Sequence, residues 1–147
     1  MKKFILKIII IGFFVFIITS FFYQCVFVKG NSMLPTYENN RLLIIKKFNF
    51  DINRNDVVVF NNNNNILVKR IVGIPGDYLE VKNKYLYVNN NKFDTFKIDD
   101  RGIVDDGLLL KENEYFALGD NRNNSIDSRH KEVGIINFKD IIGKVIW

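Results

Sequence analysis

From Ile8 to Val28 the chain reads IIIIGFFVFIITSFFYQCVFV, 21 residues without a charge. No other stretch limits the possible folds as strongly. As a helix rising about 1.5 Å per residue the run is about 32 Å long, close to the roughly 30 Å of a bilayer core. It is longer than the apolar part of a cleaved signal, usually about 7 to 15 residues, and no A-x-A-like site follows it. Cys25 follows Tyr23 and Gln24, not the small residues that precede a lipid-modified cysteine. The run therefore predicts an uncleaved, single-pass transmembrane anchor over 8–28, a short basic segment over 1–7 and an exterior domain over 29–147. Lys2, Lys3 and Lys7 put the N-terminus in the cytoplasm; Lys29, just past the far end, weakens that asymmetry only slightly. Cys25 is the sole cysteine, which excludes an intrachain disulfide or a cysteine-built metal site, and it is read as filling space in the span.

Beyond the run, hydrophobicity comes in short pieces rich in β-branched and aromatic residues: RLLIIKKF (41–48), DVVVF (56–60), ILVKRIVGI (66–74), YLEV (78–81), YLYV (85–88), EYFAL (114–118) and GKVIW (143–147). Turn-formers separate them, among them PGD at 75–77 and KNK at 82–84. This pattern predicts a mostly β domain, compact and antiparallel, with hairpins. No apolar helical stripe follows the anchor, and no repeat is visible. The polar, acidic segment 89–113 predicts an excursion or small subdomain, spanning about 82–113 with its hairpin. The Asn run at 61–65 is read as a solvated loop. A net charge of +5, spread without a dense basic stripe, argues against nucleic acid as a partner.

Two places suggest chemistry. In GNSMLPT (30–36), Gly30 permits unusual backbone geometry and Pro35 stiffens the exit, so Ser32 can stand exposed with its N–H outward, as an oxyanion donor must. A serine in such a bend is equally an ordinary turn residue. In LVKRIVGIPGD (67–77), residues two apart share a strand face. Lys69 goes with Leu67 and Ile71, and Arg70 with Val68 and Val72. An exposed edge strand is one reading. The other buries Lys69, and burial lowers a lysine pKa from about 10.4 toward neutrality, making a usable general base; an arginine would stay charged. A serine hydroxyl needs such a base. His130, the only histidine, is the alternative by residue type, but its SRHKEVG surroundings have no apolar flank.

GNSMLPT, RLLIIKK with DVVVF, VKRIVGIPGD, YFALGDNRNNSIDSR and GKVIW, in this order behind an N-terminal anchor, resemble the bacterial type I signal peptidases. The likeness covers most of 28–147. It implies that Ser32 is the nucleophile and Lys69 the base. It implies that Ser125 hydrogen-bonds and orients the lysine amine, and that Asp127, Asp120 and Arg129 form a supporting ion-pair shell. Val28, Met33, Leu67 and Val68 would line shallow pockets for small residues at −1 and −3. No metal or cofactor is implied. Read without the resemblance, GDNRNNSIDSR is a turn whose side chains bond their own backbone, which leaves the clustering of Asp120, Arg122, Ser125, Asp127 and Arg129 unexplained. Three features depart from the family pattern. Asn123 stands where many members carry aspartate. Gly30 stands where some carry a serine or threonine that supplies a second oxyanion donor. The segment between IPGD and YFALGD is short, so the second domain of larger members must be reduced.

The implied function is a serine endopeptidase that removes signal peptides from exported preproteins at the outer face of a bacterial cell membrane, with the lipid bilayer and a nearby secretion translocon as surroundings. Ser32, four residues after Val28, would sit at the depth where cleavage sites emerge. A specialised processing peptidase with few clients is a variant of this reading. An inactive anchored peptide-binding module has no need of both Ser32 and Lys69. A self-cleaving cytoplasmic repressor of the Ser/Lys type has no need of an anchor.

Overall fold

The structure, a computed structural model, describes every residue except 1, 64, 94, 99–101 and 105, and every side chain among them except those at 2, 3 and 18. The apolar run does not fold as one element. Helix α1 covers Lys2–Phe22, and strand β1 (Tyr23–Phe27) begins at the next residue. The helix boundary expected at Val28 is therefore wrong. Tyr23 to Phe27 are β-branched, aromatic or polar, and a partner strand, β2 (Leu42–Lys46), pairs with them from Tyr23↔Lys46 to Phe27↔Leu42. Backbone pairing decides the conformation there, and hydropathy cannot register it. The helix still holds a predominantly apolar stretch of 19 residues, Phe4–Phe22, with none of its described side chains buried against the rest of the chain. That is about 28 Å of helix.

The other strands are β3 (Val57–Asn62), β4 (Asn65–Gly73), β5 (Tyr78–Lys82), β6 (Tyr85–Val88), β7 (Asn91–Lys92), β8 (Leu108–Leu109), β9 (Glu114–Leu118), β10 (Ile136–Asn137) and β11 (Ile141–Val145). They form a seven-stranded sheet in the order β1-β2-β11-β3-β4-β9-β10 and a four-stranded sheet in the order β7-β6-β5-β8. Every pairing is antiparallel. The apolar runs all fall on strands. The Asn run is not a loop: Asn61 pairs with Ile66 and Asn62 with Asn65, so it is the tip of the β3–β4 hairpin, with Asn63 in the left-handed region that asparagine tolerates. The small sheet begins at Tyr78, ahead of the boundary expected near 82, and the acidic positions 99, 100 and 105 of that segment lie outside the described residues.

VVVF at Val57–Phe60 is buried on both faces, as a central strand must be. One core, with Val58, Phe60, Ile71 and Ala117, lies on one side of the large sheet. The other joins Val72, Phe116 and Leu118 to Leu79 and Leu86 of the small sheet and to Leu110, just past β8. The junction has its own polar clamp at the IPGD turn. Asp77 accepts from Ile74 N–H (2.7 Å), Arg54 (2.9 Å) and Asn89 (2.8 Å), and Arg54 also donates to Val72 O (2.7 Å). Burial pushes the Asp77 carboxyl up, but these hydrogen bonds and the Arg54 charge outweigh it and hold its pKa below the ordinary value.

Asp77→Ala removes acceptors from three donors and should cost about 2 to 3 kcal/mol in urea unfolding at neutral pH. Because the folded pKa is depressed, this contribution is complete above the ordinary carboxylate value and lost as pH falls through the lowered one. The difference between parent and variant should therefore shrink below about pH 4; a difference independent of pH would contradict the clamp.

Candidate active site

Strand β4 carries Lys69 into the centre of the large sheet, opposite Val58 of β3. The reading of Lys69 as an exposed charge is thereby excluded: it is 3% exposed. Its Nζ lies 2.7 Å from Ser32 Oγ. Burial is the main cause that lowers the Lys69 pKa; Asp127 pulls it up, Arg129 pushes it down and Asp120 pulls it up more weakly.

Ser32 sits on the turn that follows β1. Val28 continues the ladder by donating to Arg41 O (2.9 Å), and Gly30 then adopts φ +82° and donates to Asn39 Oδ1 (2.8 Å). Asn121 holds the turn from the other side, through its N–H on Ser32 O (2.9 Å) and its side chain on Asn31 O (3.1 Å). Among the described residues no acceptor takes the Ser32 N–H. Met33 and Val28 are buried beneath the turn.

Asp127 is fully buried and receives Arg129 on both carboxylate oxygens (2.8 and 2.9 Å) and Gly119 N–H (3.0 Å). Asp120 does not join this pair. It receives Arg70 in two-pronged fashion (2.8 and 2.6 Å) and the Thr36 hydroxyl (2.6 Å). Burial pushes the Asp120 carboxyl up, but the bonds from Arg70 and Thr36 and the charges of Arg70 and Arg122 hold it below its ordinary value. The expected single shell is thus two ion pairs, one behind Lys69 and one clamping the Ser32 turn, with Arg122 between them, its guanidinium 3.7 Å from Asp120 Oδ1 and its carbonyl accepting from Arg129. Arg122 donates to Gly119 O and Arg129 to Arg122 O, which ties the loop 119–129 together.

The bond expected from Ser125 to the lysine amine is not formed. The Ser125 hydroxyl is buried with no hydrogen-bond partner, packed against Gly119. His130 lies on the far side of Asp127, whose N–H donates to His130 Nδ1 (3.2 Å), and the Ser32 hydroxyl is bonded to Lys69.

A cleft of about 460 Å³ opens beside the pair, with Ser32 and Lys69 in its lining together with Val28, Met33, Leu67 and Val68. Its walls are two unpaired strand edges. β1 is the last strand of the sheet, and β9 covers β4 only over Arg70–Gly73, so Asn65–Lys69 has β3 on one side and, among the described residues, no strand on the other. Among the described residues no cluster of His, Cys, Asp or Glu could hold a metal ion.

The family model described as "Signal peptidase, peptidase S26" matches residues 1–147. This chain belongs to the signal peptidase family. It is 37% identical over 145 residues to signal peptidase I P of Bacillus subtilis subsp. natto, covering 88% of this chain and 78% of that one. It is 39% identical over 137 residues to a signal peptidase I of Bacillus caldolyticus, covering 80% and 74%. A crystal structure of a signal peptidase I from Enterococcus faecalis V583 superposes with a TM-score of 0.53 at 25% identity, covering 67% of this chain and 98% of that one. The chain is accordingly a peptidase, a hydrolase of the signal peptidase I class.

Against this family background, the sequence reading missed Arg70, Thr36 and Asn121 as parts of the site. Arg70 was legible only as a second charge on an apolar strand; its partner Asp120 is remote in sequence, and only the β4–β9 pairing brings them together. Gly119 was missed too. A Cβ there would meet Ser125 Oγ at 2.2 Å and Ser32 O at 2.6 Å, so no side chain fits between the two serines. Gly119→Ala should fold but displace Ser32, and kcat on a preprotein should fall about 100-fold, the scale of a 1 Å misplacement. Unchanged kcat would mean that the Ser32 turn tolerates movement.

Proposed function

We propose that this signal peptidase cuts exported preproteins after small residues at −1 and −3, with Ser32 as nucleophile and Lys69 as general base. The observation that carries the reading is the 2.7 Å contact between Ser32 Oγ and a buried Lys69 Nζ at the end of an open-edged cleft.

The substrate's cleavage region adds as a strand between β1 and β4. These two strands run in the same direction, since four antiparallel steps separate them, and both point toward Ser32. Side chains at −1 and −3 enter the apolar floor formed by Val28, Met33, Leu67 and Val68. Neutral Lys69 takes the Ser32 proton as Oγ bonds to the scissile carbonyl carbon. The carbonyl oxygen becomes an oxyanion facing the Ser32 N–H. The Lys69 ammonium then protonates the leaving amine, the C–N bond breaks, and an acyl-ester remains on Ser32. Water, deprotonated by Lys69, attacks that ester, and the proton returns to Ser32 Oγ as it leaves. We assign to the Ser125 hydroxyl, which is buried without a hydrogen-bond partner, the role of accepting from the ammonium once the amine turns during the cycle. Gly30 contributes no donor, because it has no side chain and its N–H is held by Asn39.

Ser32→Ala and Lys69→Ala should each lower kcat by about 10³ or more on a preprotein with an A-x-A site, while His130→Ala stays within a few-fold of the parent. A Lys69→Ala enzyme that still cuts would return His130 to the role of base. Since the base works unprotonated and its pKa is lowered by burial, kcat/KM should rise with pH and level off below the ordinary lysine value of about 10.4; an inflection at or above that value would contradict a buried base. A parent chain that binds the preprotein without cutting it would favour an anchored binding module.

We further propose that α1 spans the bilayer with Lys2, Lys3 and Lys7 on the cytoplasmic side and the cleft outside. Phe21 stacks on Phe48 at 4.7 Å where the helix meets the sheet, so the domain is seated directly on the end of the span. Cys25, exposed on β1 and the sole thiol, reports the orientation. A membrane-impermeant maleimide should label it in intact cells; labelling only after lysis would reverse the topology.

A further inference from the structure

We propose that Lys29 reads the substrate side chain at −2, favouring an acidic residue there and disfavouring a basic one. The inference rests on the peptidase reading above and adds a selectivity to the same cleft.

Side chains alternate along β1 and its extension. Val26 and Val28 turn inward, Val28 to full burial, while Phe27 and Lys29 point outward. All four line the cleft that holds Ser32. The Val28 backbone is committed to the β2 side, donating to Arg41 O (2.9 Å) and accepting from Asn40 N–H (2.8 Å). Alternate residues of an extended strand present their backbone groups to opposite sides, so Phe27 and Lys29 offer theirs to the open edge. A substrate strand laid along that edge alternates in the same way. With −1 and −3 turned into the floor, the −2 side chain faces outward, on the side of Phe27 and Lys29.

The charge in the cleft is one-sided. Among the described residues its only ionisable side chains belong to Lys29 and Lys69, and no carboxylate lines it. Lys69 works as a neutral amine, which leaves Lys29 as the charge a substrate meets. Lys29 makes no ion pair with any described residue. The neighbouring walls are exposed and apolar, Phe27 at 63% and Ile66 at 59%, which strengthens an ion pair relative to open water. The plain alternative is that Lys29 only flanks the membrane anchor. A flanking cation would be indifferent to the residue at −2.

The full-length chain in neutral detergent is given three preproteins that differ only in Asp, Ala or Lys at −2, and the ratio of kcat/KM is read within each enzyme variant. For the parent, Asp should exceed Lys by about five- to tenfold at low ionic strength, the scale of one attraction plus one repulsion at a partly exposed site. The ratio should fall toward one at about 1 M salt, where screening acts within roughly 3 Å. Lys29→Glu should invert the order, Lys29→Ala should flatten it, and Lys29→Arg should keep it. Equal cleavage of all three by the parent, or a preference that survives in Lys29→Ala, overturns the role of Lys29 and leaves the peptidase standing. Cleavage of none of the three, the Ala substrate included, overturns the peptidase reading and this inference with it.

Discussion

Everything at this site depends on keeping the Lys69 amine out of water. An ammonium in an apolar interior is costly, and the favoured response is to lose the proton. β4 achieves this by pairing with β3, which sets Val58 directly across from Lys69, while the Ser32 turn lies against the amine. Two carboxylates stand close enough to undo the effect, since Asp127 and Asp120 both favour the charged amine. Each is occupied by its own guanidinium, Asp127 by Arg129 and Asp120 by Arg70. The Arg129 charge opposes the amine's protonation and offsets the Asp127 attraction. Burial therefore stays the dominant influence. The ion pairs give rigidity to the loop 119–129 and to the Ser32 turn while adding little net charge beside the base, which a lone aspartate could not do.

The same sheet that buries Lys69 leaves room for a substrate. A closed barrel would satisfy every edge. Here β9 stops pairing with β4 at Arg70, one residue beyond Lys69, and β1 ends the sheet on the other side. The lysine thus sits where the paired half of β4 meets the unpaired half. Protection from water comes from the first, and access for an extended peptide from the second. Gly119 completes the arrangement, because it lets Ser125 and the Ser32 turn approach each other without an intervening side chain.

Much of this was legible in the sequence because it follows from local chemistry. Apolar runs bounded by Asn, Gly and Pro became strands, and the apolar neighbours Leu67, Val68 and Ile71 were enough to suggest a buried Lys69. What was illegible depends on partners. YQCVF reads as the end of a membrane helix until LLIIK is known to lie beside it. The two-residue strands β7, β8 and β10 are too short to show a period. Arg70 and Asp120 meet through a strand pairing that no spacing announces. Ser125 was expected to touch Lys69 from its family position, but its hydroxyl direction is set by packing against Gly119, which a motif does not encode.

With α1 across the bilayer as proposed, the division of the apolar run changes where the site would stand relative to the membrane. Ser32 follows Val28 closely, yet the helix ends at Phe22 and a whole strand intervenes. At about 3.4 Å per residue, the five residues of β1 carry the chain about 17 Å beyond the helix. A substrate whose own helix ends at the same membrane level must cover that distance beside β1, and only an extended segment of similar length can do so. With α1 in the bilayer as proposed, the uncharged run meets two apolar surroundings, lipid for its helical part and the cleft for its last residues. Both exclude charge, so hydropathy stays uniform across a boundary where the secondary structure changes. The first residue to break that uniformity is Lys29, in the lining of the cleft that holds Ser32.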